Sequence, residues 1–256
     1  MKILLTNDDG IYAEGLWVLH KRLVVEHDIT VVAPDRERSA VGHSITLSEP
    51  LRMDRIHVNG DFSGYAVSGT PVDCIKLGIL EVLETRPDLV ISGINSGANV
   101  GIDINYSGTV SAAREAALYG IPAMAISAQG NDIKNYDEIA HFVEVLAKNV
   151  FDKGLPYGTI LNVNIPNVPL HETSGIKISR QGISLFSEQI EKRIDPRNRV
   201  YYWQGGEPDG VFEHSDVDGA VLKEKYISIT PIRCDMTDYR MIDDLKRWDI
   251  SIEPEK

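Results

Sequence analysis

Short, β-rich apolar runs alternate with amphipathic stretches across the first two thirds of the chain, and that alternation admits few folds. It is the signature of βα units and a mainly parallel sheet, so the expected class is α/β. Residues 3–6 and 29–33 read as strands, with Leu16, Leu19 and Leu23 marking a helix between them at helical spacing. Residues 51–67 read as a hairpin, because Asn59-Gly60-Asp61 at their middle favours a tight reversing turn. A helix over 72–83 starts at Thr70-Pro71. Strands at 89–92, 123–127 and 160–165 follow, separated by helices near 110–119 and 138–149.

Near Pro166 the pattern changes. Residues 167–225 lack strong helical periodicity and contain the aromatic, strand-like Val200-Tyr201-Tyr202-Trp203. These aromatics need burial, so the stretch reads as an extended β excursion, a protruding hairpin able to pack on a second subunit. Residues 226–231 return as a strand, and 237–248 form a final helix that starts at a Thr or Asp cap. The chain therefore divides into a core at 1–166, the excursion at 167–225 and a carboxy-terminal strand and helix within 226–256, all in one domain.

Composition removes several classes of function. With 26 Lys and Arg against 38 Asp and Glu, the net charge of -12 disfavours a nucleic acid duplex as partner. A small anionic substrate stays open, since a bound divalent ion reverses the local field. Cys74 and Cys234 lack metal-ligand spacing and read as reduced thiols of a cytoplasmic protein. The apolar run at the amino terminus is too short for a signal-peptide core, and no run approaches the ~18 residues of a membrane span.

The chemistry is concentrated where strands should end. Asn7-Asp8-Asp9-Gly10 follows the first apolar run directly, and open α/β sheets put their sites at strand tips. Two adjacent carboxylates repel unless a cation or proton intervenes, although a solvated turn accounts for the same residues. In a parallel sheet three further polar segments converge on that edge. Residues 34–44 carry Ser39, Gly42 and His43; Gly93-Ile94-Asn95-Ser96-Gly97-Ala98-Asn99 ends another strand; and Tyr106-Ser107-Gly108-Thr109 precedes an Ala-rich helix. Ser107 or Thr109 is first an N-cap, and the same helix start presents free N–H groups to a phosphate.

Carboxylates, a carboxamide and hydroxyls form an all-oxygen donor set, which favours Mg2+ or Mn2+ over zinc. A hard ion beside a helix start suits phosphoryl chemistry. The chain has no P-loop, dinucleotide fingerprint or nucleophile elbow. Of its histidines, His43 alone shares a candidate site loop, where it could orient a phosphate or protonate a leaving group.

Taken in order, Thr6-Asn7-Asp8-Asp9-Gly10-Ile11, Val32-Ala33-Pro34-Asp35 with Arg38-Ser39, Gly42-His43-Ser44-Ile45-Thr46 and Gly69-Thr70-Pro71-Val72-Asp73-Cys74 form a specific set. It continues with Ser92-Gly93-Ile94-Asn95, Tyr106-Ser107-Gly108-Thr109-Val110, Tyr201-Tyr202-Trp203 and Ser228-Ile229-Thr230-Pro231. In these stretches the chain resembles the stationary-phase survival protein SurE family of metal-dependent nucleotidases. The resemblance implies a Rossmann-like core, with the hairpin and carboxy-terminal helix used to build a homodimer able to pair into tetramers. It implies hydrolysis of nucleoside 5'- and 3'-monophosphates, with short polyphosphate as a further substrate in some members. Asp8, Asp9, Ser39 and Asn95 match the family's metal ligands, for one divalent ion per subunit. Asn99, Ser107, Gly108 and Thr109 match its phosphate-side positions. Many members have Pro where this chain has Ala98. Asp8 and Asp9 are then the expected catalytic pair. The competing expectations are a nucleotide-sensing module that binds without hydrolysis and a glycosyl or acyl hydrolase on the same core.

Overall fold

The computed structural model describes residues 1–58, 61–183, 189–205 and 214–250. The first half contains β1 (Lys2–Thr6), α1 (Glu14–Leu23), β2 (Asp28–Pro34), β3 (Met53–Val58) and β4 (Asp61–Val67). It is followed by α2 (Pro71–Leu77), β5 (Leu89–Ser96), α3 (Gly108–Leu118), β6 (Ala123–Ala128), α4 (Tyr136–Lys153) and β7 (Thr159–Ile165). The remainder comprises β8 (Ile176–Ile178), β9 (Gln189–Ile194), β10 (Val200–Gly205), α5 (Asp218–Lys223), β11 (Ile227–Arg233) and α6 (Tyr239–Leu245).

One mixed sheet has the order β3-β4-β2-β1-β5-β6-β7-β11-β8, and β9 pairs with β10 in a separate hairpin. Strands β4, β2, β1, β5, β6 and β7 all run parallel. The flanking pairs β3·β4 and β11·β7 are antiparallel. From β1 the chain builds outward through β2 and β4, then restarts on the other side of β1 at β5. That reversal opens a crevice at the carboxyl ends of β1 and β5, the place where such sheets bind ligands.

Burial follows the strand alternation. Ile3 and Leu5 of β1 pack with Leu16, Leu19 and Leu23 of α1 and Ile139 and Val143 of α4. Leu4 points the other way, into a second core formed with Cys74 and Ile75 of α2 and Val110, Ala113 and Ala117 of α3. Each fully buried Leu or Ile contributes about 1.5–3 kcal/mol, so the two helical layers fix the register of the central strands. α1 begins with Glu14 and ends with Lys21 and Arg22, charges that suit its dipole. Thr70 and Asp73 form a reciprocal capping box at the start of α2, with Pro71 in the first turn.

The α/β expectation holds, with local differences. The helix expected over 72–83 is α-helical only to Leu77 and continues as a wider π turn over Gly78–Val82. The hairpin forms from β3 and β4, while Asn59-Gly60 lies outside the described residues. Within 167–225, β8 joins the main sheet and α5 adds a helix; six residues are too few for periodicity to reveal. The last helix is shorter than expected, and Asp238 is its cap, accepting from the N–H groups of Arg240 and Met241. Tyr202 and Trp203 of β10 are 62% and 59% exposed, so a single chain does not bury the hairpin's aromatics. Among the described residues no helix is long and apolar enough to cross a membrane.

Gly15 of α1 marks the tightest helix–sheet approach. A Cβ there would sit 2.3 Å from the Ile94 carbonyl oxygen and 3.0 Å from Cε1 of Tyr136. Helix propensity favours Ala over Gly by up to ~1 kcal/mol, but overpacking costs about 1–3 kcal/mol. Gly15→Ala is therefore expected to destabilise the protein, seen as a lower urea midpoint; an unchanged midpoint would mean that α1 can shift outward freely.

Candidate active site

β1 ends in a turn held by the Asn7 side chain, whose Nδ2 donates to the Gly10 carbonyl oxygen at 2.9 Å. The loop after β2 lies against this turn, with the Arg38 N–H donating to the Asp8 carbonyl oxygen at 2.8 Å. Asp8 is 7% exposed, and its Oδ1 accepts from the Thr109 hydroxyl at the start of α3. That approach requires a glycine beside it: a Cβ on Gly108 would lie 2.8 Å from the Asp8 Cβ and 3.1 Å from Cγ of Pro71. Burial pushes the Asp8 carboxyl above its ordinary range, partly offset by the Thr109 hydroxyl and the N–H groups of Thr109 and Gly108.

Asp9 is pushed up to about 6, first by burial and then by the charge of Asp8, with Glu37 adding to it. The Ser96 N–H opposes the shift by donating to Asp9 Oδ2 at 3.3 Å. Among the described residues neither carboxyl pairs with a Lys or Arg, so none of them neutralises the two together.

Asn95 reaches the same edge because of a bulge. The register between β5 and β6 shifts between Ser92 and Asn95, and Ile94 takes the core position on the α1 side. Alternation then places Asn95 on the α3 side, paired with Ser127. Its Nδ2 donates to the Gly97 carbonyl oxygen at 2.7 Å, which leaves the side-chain oxygen as the group available to a cation. The Ser39 hydroxyl donates to the Glu37 carboxylate and keeps its lone pairs. Among the described residues no three His, Cys, Asp or Glu side chains converge as a metal cluster. The donor set consists instead of two carboxylates, a carboxamide and a hydroxyl, which fits a hard divalent ion.

Ser107 caps α3, its Oγ accepting from the Val110 N–H at 3.1 Å. Asn99 is held from below: its N–H donates to Asn164 Oδ1 at 2.7 Å and its Nδ2 to Ser127 Oγ at 2.7 Å. Its carbonyl oxygen accepts from Asn162 and Asn164. His43 is elsewhere. Its Nε2 meets Glu115 Oε2 at 2.8 Å, and Lys76 approaches the other oxygen at 3.5 Å. Glu115 lies seven residues beyond Gly108 in α3, about 10 Å along the helix. The structure thus uses His43 to fasten the Ser39 loop to α3, and the His43 hydrogen bond holds the Glu115 carboxyl below its usual range. Asp73 fastens the same loop by accepting from the Thr46 N–H and hydroxyl.

Residues 3–188 match the family model described as Survival protein SurE. The chain belongs to this family. A protein of Desulfatibacillum aliphaticivorans named 5'-nucleotidase SurE is 52% identical over 251 residues, spanning 98% of this chain and 99% of that protein. One of Thermoanaerobacter pseudethanolicus with the same name is 50% identical over 254 residues, spanning 99% and 100%. The crystal structure of the SurE protein from Aquifex aeolicus matches with a TM-score of 0.84 at 42% identity, covering 96% of this chain and 98% of that one. The SurE match includes every site position described above. Sequence reasoning missed Glu37, which Ser39 meets two residues away, and Ser96, Glu115 and the Asn162–Asn164 pair, whose roles arise only from tertiary contact. Asp73 alone left a local signal, the Thr-x-x-Asp of its capping box.

Proposed function

We propose that this member of the SurE family is a divalent-metal-dependent phosphomonoesterase that hydrolyses nucleoside 5'-monophosphates to nucleoside and phosphate, with 3'-monophosphates and short polyphosphate as further substrates. The observation that carries this reading is the pair of adjacent carboxyls, buried Asp8 and partly buried Asp9, both raised in pKa, with Asp8 set against the start of α3. The names of the bacterial relatives support it. Asp8, Asp9, the Ser39 hydroxyl and the Asn95 side-chain oxygen would hold one Mg2+ or Mn2+ per subunit. Such an ion neutralises phosphate charge and acidifies water when bound.

The chain's own groups supply the rest. Asp9, only partly buried and fixed by the Ser96 N–H on its Oδ2, is placed to accept a proton from the attacking water. Ser107, Gly108 and Thr109 offer a helix start and its dipole to a phosphate dianion. Asn99 supports the neighbouring loop through β6 and β7. His43 serves substrate binding by fixing the loop that carries Ser39.

The exposed aromatics of β10, together with exposed Tyr239 and Trp248 near the carboxyl end, support a homodimer that buries both, with pairing into a tetramer as the next step. Free Cys74 and Cys234 support a cytoplasmic location. Phosphate release from 5'- and 3'-nucleoside monophosphates, pyrophosphate and short polyphosphate, in chelator and then with Mg2+ or Mn2+ restored, tests the reading. Release is expected only with metal. Nucleotide that binds with metal yet is recovered intact would favour a sensor instead.

A further inference from the structure

Asp218, at the start of α5, is fully buried and takes no part in the chemistry proposed above. Burying a carboxyl is costly unless donors meet it, and three backbone N–H groups do. Its Oδ1 accepts from Gly182 at 3.1 Å and from Gly219 at 2.9 Å, and its Oδ2 accepts from Gly101 at 2.9 Å. Gly182 and Gly219 belong to the two segments that flank the β9–β10 hairpin in sequence, whereas Gly101 lies in the loop that joins Asn99 to α3. One carboxylate therefore fastens this loop to the root of the hairpin, 117 residues away.

The surrounding contacts make the tie rigid. Gln181 Nε2 donates to the Gly101 carbonyl oxygen at 2.7 Å, so the N–H and the carbonyl of Gly101 are both held. The hairpin root is itself bridged, with the Arg180 N–H donating to the Asp216 carbonyl oxygen at 3.1 Å and the Asp218 N–H to that of Arg180 at 2.9 Å. Gly101 has a φ of +60°, and a Cβ on it would lie 3.1 Å from the Gly182 carbonyl oxygen, so this approach calls for glycine. From Gly101 a 3₁₀ turn over Gly101–Asn105 leads to the phosphate side. The Asp103 carbonyl oxygen accepts from the Ser107 N–H at 3.0 Å, and that of Tyr106 accepts from Gly42 in the Ser39 loop at 2.8 Å. Asn99 is pinned separately on β7, so Gly101 is the point that fixes the run from there to the α3 cap.

We propose that Asp218 is a positioning residue for phosphate binding, which holds the Gly101–Ser107 segment in the place that the α3 start needs to receive a phosphate. This rests on the phosphomonoesterase reading above. The Ser39 loop has anchors of its own, His43 on Glu115 and Thr46 on Asp73, so the metal ligands stay in place when the Asp218 tie is cut. Asp218→Asn keeps the shape of the side chain but replaces one acceptor by an N–H donor, which must then face a backbone N–H. In the full-length protein with Mn2+, KM for AMP and the Kd for inorganic phosphate should each rise roughly tenfold, the scale of one unsatisfied hydrogen bond, while kcat and the Mn2+ affinity change less than about twofold. Gln181→Met, at a partly buried position, removes the other half of the tie and should raise the same two constants by a smaller factor, even where Asp218→Asn fails to fold. Unchanged KM and phosphate Kd in whichever variants fold overturn the assignment. Losses of kcat and Mn2+ affinity as large as the rise in KM also overturn it, because Asp218 would then serve the fold at large. Phosphate Kd is measured by calorimetry without turnover, so a parent that binds phosphate but releases none from AMP overturns the phosphomonoesterase reading and leaves the Asp218 assignment to be decided by the Kd.

Discussion

Asp8→Asn is expected to lower phosphate release on the order of a thousandfold or more, equivalent to about 4 kcal/mol of barrier, while the metal-free protein unfolds no more easily than its parent. The carboxylate is buried, lies next to Asp9 and has no cationic partner among the described residues, so its charge destabilises the metal-free fold. An amide of the same shape still accepts the Thr109 hydroxyl through its oxygen. Folding thus retains a hydrogen bond and loses a repulsion, whereas a hard cation loses an anionic ligand. Phosphate release and thermal unfolding in chelator, measured side by side, separate the two effects. Loss of activity together with a collapse in thermal stability would assign Asp8 to the fold instead of the chemistry.

The reach of sequence reasoning here follows the range of the interactions. β6 is buried at every position and reads as a strand because its short run is mainly apolar on both faces. The Asp8-Asp9 turn is equally legible, since strand, turn and carboxylates fall within ten residues. What holds these groups in place is not local. Ser96 meets Asp9 across 87 residues, His43 meets Glu115 across 72, and Asn99 meets Asn164 across 65. No periodicity encodes such pairs, so the bond of His43 to Glu115 is invisible in the sequence, where His43 reads only as a histidine of a candidate site loop. The bulge in β5 is a further case: Asn95 is a natural ligand by type, but only the shifted register puts it on the α3 side.

Affinity for Mn2+ should fall steeply as the pH drops below about 6, with Asp9 as the main cause. A cation takes the carboxylate form, so below that value each binding event must expel a proton, and apparent affinity falls about tenfold per pH unit for one such group. Asp8, also raised, steepens the fall. Above the Asp9 value the dependence on that residue levels off. Stability of the metal-free protein has the opposite sign. Between the ordinary value of 3.8 and about 6, the folded state holds a proton on Asp9 that the unfolded chain has released. Rising pH through that window therefore destabilises the fold, and bound metal should reverse the loss. Calorimetric Mn2+ titrations from about pH 5 to about pH 8, paired with urea unfolding in chelator, measure both slopes. Affinity that stays flat across this range would mean that Asp9 is ionised throughout and that its burial is relieved by solvent in the free protein.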